Sequence, residues 1–206
     1  MRNLGHAFFS VPRINNPDGA FDIGRGELFP PGIGLGATPF GYRFIRRQDS
    51  RQALIYVDGA CLDNGRANPK AGWAFVFKPE TAGTAPHRGN VSGRLEKKGP
   101  FGDEYGQTSN RAELRAVLGA LRFRHWEGEG FTTLVIATDS EYVAEGATTD
   151  LWEALLGEFE RWDSWGLKIE FWRIPRTLNV VADGAAKRAA DAEDVEEYLE
   201  VNGVLV

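Results

Sequence analysis

Apolar and polar positions divide the chain into two regimes. Over residues 1 to about 50, Gly and Pro recur throughout PDGAFDIGRGELFPPGIGLGATPFGYRF with no sustained period, which predicts an irregular arm. Phe29, Phe40, Tyr42 and Phe44 would give that arm apolar points of docking. From residue 53 the pattern changes. ALIYVDGA reads as a buried strand, AGWAFVFK (71–78) as a second, and VSGRLEKKG (91–99) alternates as a half-exposed third. NRAELRAVLGALRFRHW then sets Leu114, Val117, Leu118 and Leu121 on one helical face. TTLVIATDS is another apolar strand, EYVAEGA and LWEALLGEFERW are helical, LKIEFWRIP is a strand, and VVADGAAKRAADAEDVEEYL closes as a helix. The order β-β-β-α-β-α-α-β-α predicts an α/β fold: an antiparallel meander plus parallel strands in one mixed five-stranded sheet, flanked by helices. The expected division is an arm at 1–50 and a domain at 51–206.

Four acidic residues share a position in this pattern, each where an element begins or ends. Asp58 ends the first strand, Glu113 lies in the first turn of the long helix, Asp139 ends TTLVIATD, and Asp183 lies early in the last helix. In a mixed sheet, parallel neighbours end at one edge and the following helices start near it. The four carboxylates are therefore expected to converge on one sheet edge, where they repel one another unless cations balance them. Hard oxygen ligands suit Mg²⁺. Each residue has an ordinary alternative. Asp139 before Ser140 is a plausible helix cap, Asn110 with Glu113 resembles a capping box, and Asp183 suits a helix N-terminus. Asp58 is hardest to dismiss, because a carboxylate after four apolar strand residues needs a partner: a backbone amide, a basic side chain or a metal.

Composition narrows the class. With 206 residues and 42% hydrophobic content the chain is long enough for a sizeable core. No apolar run approaches a membrane span, so no membrane partner is expected. One cysteine excludes an internal disulfide framework and suits an intracellular, reducing compartment, nuclear or cytoplasmic. MRNLGHAFFSVPR lacks the apolar core of a secretory signal but is free of acidic residues, which keeps a mitochondrial transit peptide open. A net charge of −5 argues against coating nucleic acid by bulk electrostatics, though not against an enzyme whose acidic site is neutralised by cations. A monomer is expected.

YVDGAC, TSNRAELRAVLGAL, ATDSEYVAEG and NVVADGAAK, in this order, resemble the four acidic motifs of type 1 ribonuclease H, over about residues 53–190. KGPFGDEYGQTSNRAEL, FRHWEGEGF and EFWRIPRTLN are similar in wording to fungal members. The resemblance implies a ribonuclease H-like fold and an endoribonuclease that hydrolyses the RNA strand of RNA–DNA hybrids with two Mg²⁺ ions, for which Mn²⁺ can substitute. It implies Asp58, Glu113, Asp139 and Asp183 as catalytic metal ligands, with Asp58 bridging and Asp183 the most mobile. It also places Thr108, Ser109 and Asn110 at the hybrid, Cys61 near the RNA backbone, and Asn68 in a backbone contact for which Asn64 is a rival. Helix capping by Thr108 and Ser109, and a merely buried Cys61, are the plain alternatives.

The sequence departs from that family in three places. The basic, Trp-containing handle that grips the hybrid in many members is absent, since GATTD runs directly into LWEALLGEFERW. Grip would then fall to another element, such as an arm carrying Arg43, Arg46 and Arg47, although such arginines more often line a solvated surface. RIPRTLNVVAD lacks the family's loop histidine, leaving Arg173 or Arg176 to meet phosphate there without acting as a base. Glu141 stands where Gln is usual after Asp-Ser. The competing readings are a hybrid-binding protein with weak or no catalysis, a 3′-5′ exonuclease of related fold, and a retroelement module. Asp58-Gly59-Ala60 lacks the Asp-x-Glu pair common in the exonucleases, and nothing resembling a polymerase accompanies the motifs.

Overall fold

The run ALIYVDGA lies inside a longer strand, β3 (Asp49–Leu62), around which the sheet is assembled. The structure, a computed structural model, describes residues 28–34, 42–79, 89–140 and 150–203. Along one flank of β3, β6 (Thr133–Thr138) pairs in parallel from Gln52 to Tyr56, and β7 (Lys168–Arg173) pairs in parallel with β6. The opposite flank is shared. β2 (Tyr42–Arg46) pairs antiparallel with its first half, and β4 (Lys70–Val76) takes over from Tyr56 to Leu62. β1 (Pro31–Ile33) lies outside β2, and β5 (Asn90–Arg94) outside β4.

Because successive side chains point to opposite faces, β3 feeds two cores. Ala53, Ile55 and Val57 pack with Leu114 and Leu118 of α1 (Ser109–Arg122) and with Leu151, Leu155 and Trp162 of α2 (Asp150–Ser164). Leu54 and Tyr56 pack on the other face with Val135, Ala137 and Ala182, the last from α3 (Val180–Ala190). Burial on both faces is why the run is continuously apolar rather than alternating. The alanine-rich α3 lies unusually close to the sheet, since a Cβ on Gly72 would sit 2.2 Å from the Ala190 nitrogen.

β3 to β7 are the five expected strands, and two more extend the sheet. Irregularity throughout 1–50 is therefore corrected for the described part: residues 31–33 and 42–46 are strands, and the expected boundary at 50/51 falls inside β3. Pro31 opens an edge strand, where a missing N–H is tolerated. Docking of the aromatics is specific. Phe29 is buried with its ring 6.0 Å from that of Trp172, and Phe44 meets Tyr56 edge-on at 5.3 Å. Tyr42 is exposed, and Phe40 lies outside the described residues. Arg43 is not a surface cation. It is 4% exposed and makes two hydrogen bonds to the buried Glu129 carboxylate, at 2.9 and 2.7 Å.

The closing helix is shorter than its pattern predicts, ending at Ala190. Residues beyond it run back alongside Lys97 and Lys98 instead of continuing the helix. The Lys97 and Lys98 amides donate to Val195 O and Glu196 O, while their ammonium groups pair with Glu196 and Glu197. Arg115 anchors the segment from below, sandwiched between Trp73 and Tyr198 and bonded to Glu96 and to Leu199 O. The expected helix EYVAEGA, with Glu141, lies outside the described residues.

Candidate metal and active site

Asp58 does not end its strand: β3 continues four residues past it, held by β4 through the pair Leu62↔Lys70. What ends near Asp58 is the other flank. The parallel pairing with β6 stops at Tyr56↔Ala137, so the strand projects beyond its neighbour. The next residue lets α1 into that gap. Gly59 has no side chain, and a Cβ there would stand 2.2 Å from the Glu113 backbone nitrogen. The Gly after the Asp thus allows the helix carrying Glu113 to touch the strand carrying Asp58.

Glu113 is buried in the second turn of α1 rather than the first, for the helix starts at Ser109 and Thr108 is its cap, accepting from the Arg111 amide at 3.2 Å. The capping-box reading of Asn110 is set aside by that bond. Gln107 fixes the approach to the cap: its side chain accepts from Ala71 N and donates to Leu95 O. Asp139 follows β6 directly. Asp183 lies in the first turn of α3.

The electrostatics show that the four carboxylates share one field. Burial, and then the charges of Asp139, Glu113 and Asp183, push the Asp58 carboxyl up to about 8. Burial also raises Glu113, to about 7, with Asp139 adding to the shift and a hydrogen bond from Ser140 opposing it. Asp58 takes part in no ion pair among the described residues. Its neighbourhood is dominated by like charge, the reverse of what a structural salt bridge would leave.

Asp183 differs from the others. Burial alone would raise its carboxyl, but hydrogen bonds from Lys187 and Arg176 outweigh that and hold it below the usual range. Arg176 Nη2 reaches Oδ1 at 2.6 Å and Lys187 Nζ reaches Oδ2 at 2.7 Å.

One residue of the site escaped the sequence reading. Asn179 is fully buried at the start of α3, yet spends no side-chain bond on capping the helix. Its Nδ2 instead donates to Val57 O at 2.9 Å and to Asp139 Oδ1 at 2.7 Å, tying β3, β6 and α3 together at the cluster. The available signal was an Asn four residues before Asp183, at a helix start; capping was the natural account of it.

The proposed substrate contacts are less gathered. Thr108, Ser109 and Asn110 lie at the open N-terminus of α1, with Thr108 exposed. The Cys61 thiol, raised by burial, donates to Gln107 O at 3.5 Å, which keeps it beside that helix start. Asn68 and Asn64 are exposed in the β3–β4 connection, and no described contact joins either to the carboxylates.

Among the described residues, no three His, Cys, Asp or Glu side chains are already drawn into a ligand cage. The donor chemistry nevertheless fits a hard divalent cation. All four groups are carboxylates, Glu113 Oε2 is buried with no hydrogen-bond partner, and Asp58 has no ion-pair partner among the described residues.

The RNase H family pattern matches residues 50–174. Similar curated proteins include a ribonuclease H of Treponema pallidum subsp. pallidum, 38% identical over 100 residues, or 46% of this chain and 52% of that protein. Ribonuclease H of Crithidia fasciculata is 30% identical over 135 residues, covering 54% and 25%. Human ribonuclease H1 is 32% identical over 95 residues, covering 46% and 28%. The chain thus spans about half the length, or less, of these relatives. Among solved structures, LC11-RNase H1 from compost is 24% identical with a TM-score of 0.47, covering 68% of this chain and 96% of that one. The N-terminal RNase H domain of Rv2228c from Mycobacterium tuberculosis is 22% identical with a TM-score of 0.43, covering 67% and 94%.

Proposed function

Since this chain belongs to the RNase H family, we propose that it is an endoribonuclease that hydrolyses the RNA strand of RNA–DNA hybrids at Asp58, Glu113, Asp139 and Asp183. The observation that carries this reading is that Asp58 and Glu113 are buried beside further carboxylates with no ion pair among the described residues: burial, joined by the charges of Asp139, Glu113 and Asp183 on Asp58 and of Asp139 on Glu113, lifts Asp58 to about 8 and Glu113 to about 7. Such a concentration of charge weakens the apo fold, and a functional site is where that cost is tolerated.

The four carboxylates would hold two Mg²⁺ ions, with Mn²⁺ as substitute. When bound, the ions supply an activated water and stabilisation of the leaving 3′-oxygen. The chain's own residues set the geometry. Rigid β3 fixes Asp58, contact with Gly59 fixes Glu113, and the Asn179 amide orients Asp139. Ser140 donates to Glu113 and favours its ionised form. The exposed Thr108 hydroxyl and the half-buried Ser109 and Asn110 at the start of α1 would meet the hybrid, with Cys61 alongside. Within the family we place the chain with fungal-like members that lack the basic handle, on the support of GATTD running directly into LWEALLGEFERW.

The deciding experiment uses an internally labelled hybrid with both ends blocked, incubated with and without Mg²⁺. Internal cleavage of the RNA strand that depends on the ion is expected. Binding without cleavage would favour the non-catalytic alternative, and cleavage halted by end blocking would favour an exonuclease.

A further inference from the structure

We propose that Arg176 is the resident counter-cation of the carboxylate cluster, holding Asp183 until a divalent ion displaces it, so that ions enter in two unequal steps. This inference rests on the metal-site reading above.

Both oxygens of Asp183 are engaged, one by Arg176 at 2.6 Å and the other by Lys187 at 2.7 Å. The two cations are not equivalent. Lys187 lies one turn along α3 from Asp183, an ordinary i, i+4 pair that any exposed helix could carry. Arg176 comes from outside the helix, from the single turn Arg176–Leu178 between β7 and α3. Its charge acts on Asp58, Glu113 and Asp139 as well as on Asp183. A cation whose field reaches all four carboxylates stands where divalent charge is needed.

The arrangement is also reversible. The Arg176 side chain is 68% exposed, so leaving Asp183 returns the guanidinium to water rather than stranding it in the core. An exposed ion pair of this kind is weak, and a doubly charged ion facing several carboxylates outcompetes it. Asp58, Glu113 and Asp139 have no such competitor in direct contact among the described residues, so they take the first ion. Asp183 joins only as Arg176 leaves. The freed guanidinium, with its fork of donors, then suits a phosphate oxygen of the substrate strand.

The test is Mn²⁺ binding without nucleic acid, followed by calorimetry and by the electron paramagnetic resonance of free Mn²⁺. The proteins are the wild-type chain, Arg176→Ala, Arg176→Lys and Lys187→Ala, each checked for an unchanged circular dichroism spectrum. In the wild type a tight step and a weak step are expected. Arg176→Ala should tighten the weak step by roughly threefold or more while leaving the first nearly unmoved. Arg176→Lys should restore much of the wild-type behaviour, and Lys187→Ala should act less than Arg176→Ala. Superimposable isotherms for wild type and Arg176→Ala would overturn the proposal alone. A wild-type protein that binds no Mn²⁺ would overturn the metal-site reading and the proposal together.

Discussion

The side-chain amide of Asn179 donates to the Asp139 carboxylate at 2.7 Å, and the same nitrogen holds Val57 O, one residue from Asp58. One buried amide thus sets the separation of two acidic residues that lie far apart in sequence. Asn179→Ala should lower turnover roughly 10–100-fold with little change in KM, as for loss of a group that orients a ligand. It should also cost about 1–3 kcal/mol, because the Val57 carbonyl loses its side-chain donor. Steady-state kinetics and urea denaturation on the same variant check both.

Asp58→Asn and Asp139→Asn should each abolish cleavage while sparing the fold. Asp58→Asn carries a second signature: removal of a carboxylate disfavoured by burial and by its acidic neighbours should raise the melting temperature in a chelator at pH 8. Robust hybrid cleavage by either variant would defeat the assignment of the site.

The pH dependence of stability follows from the same shifts. Asp58 and Glu113 have folded values of about 8 and about 7, above their ordinary 3.8 and 4.5. The folded state binds protons more tightly than the unfolded chain. Their contribution is therefore complete below about pH 4 and disappears as pH rises through 7 and 8. In a chelator the melting temperature should fall by roughly 5–10 °C from pH 5 to pH 8 through this cause. Mg²⁺ should recover much of it at pH 8. Calorimetric scans across that range supply the measurement, and a flat profile in the chelator would contradict the electrostatic reading.

Gly59 is where a single methyl group should separate stability from activity. A Cβ would meet the Glu113 nitrogen at 2.2 Å and the Ala112 carbonyl carbon at 2.5 Å, both backbone atoms. Gly59→Ala should cost roughly 1–3 kcal/mol by overpacking and displace Glu113 enough to lower activity about 100-fold. Gly157→Ala in α2 is the matched control. Nothing lies within 4 Å of its added methyl, and helix propensity alone should stabilise it by roughly 0.5–1 kcal/mol.

Arg43 measures how far the N-terminal strands belong to the domain. Arg43→Ala removes the closer of two arginine partners from the Glu129 carboxylate, itself 3% exposed, and leaves it only Arg124 at 3.4 Å, so the change should cost roughly 1–3 kcal/mol. Adding Glu129→Leu should recover most of that loss. Equilibrium denaturation of the two variants distinguishes an integral pair of strands from a loosely attached arm, for which neither change would matter.

The order and type of β3 to β7, α1, α2 and α3 were legible in the chain because each carries a local apolar pattern: a short unbroken run along ALIYV, a period of 3.6 along AELRAVLGAL. The acidic positions were legible for the same reason, as charges interrupting those patterns at Asp58, Glu113, Asp139 and Asp183. Tertiary structure alone decided that Asp58 lies within a strand left uncovered on one flank. It also decided that Gly59 admits α1, that Asn179 bonds to Asp139, and that Arg176 and Lys187 hold Asp183. It alone made strands of the Gly- and Pro-rich residues around Arg43. The physical division is one of range. Side-chain periodicity follows from backbone geometry within a single element, whereas hydrogen bonds, ion pairs and close approach depend on which elements the sheet places side by side, and no local pattern encodes that.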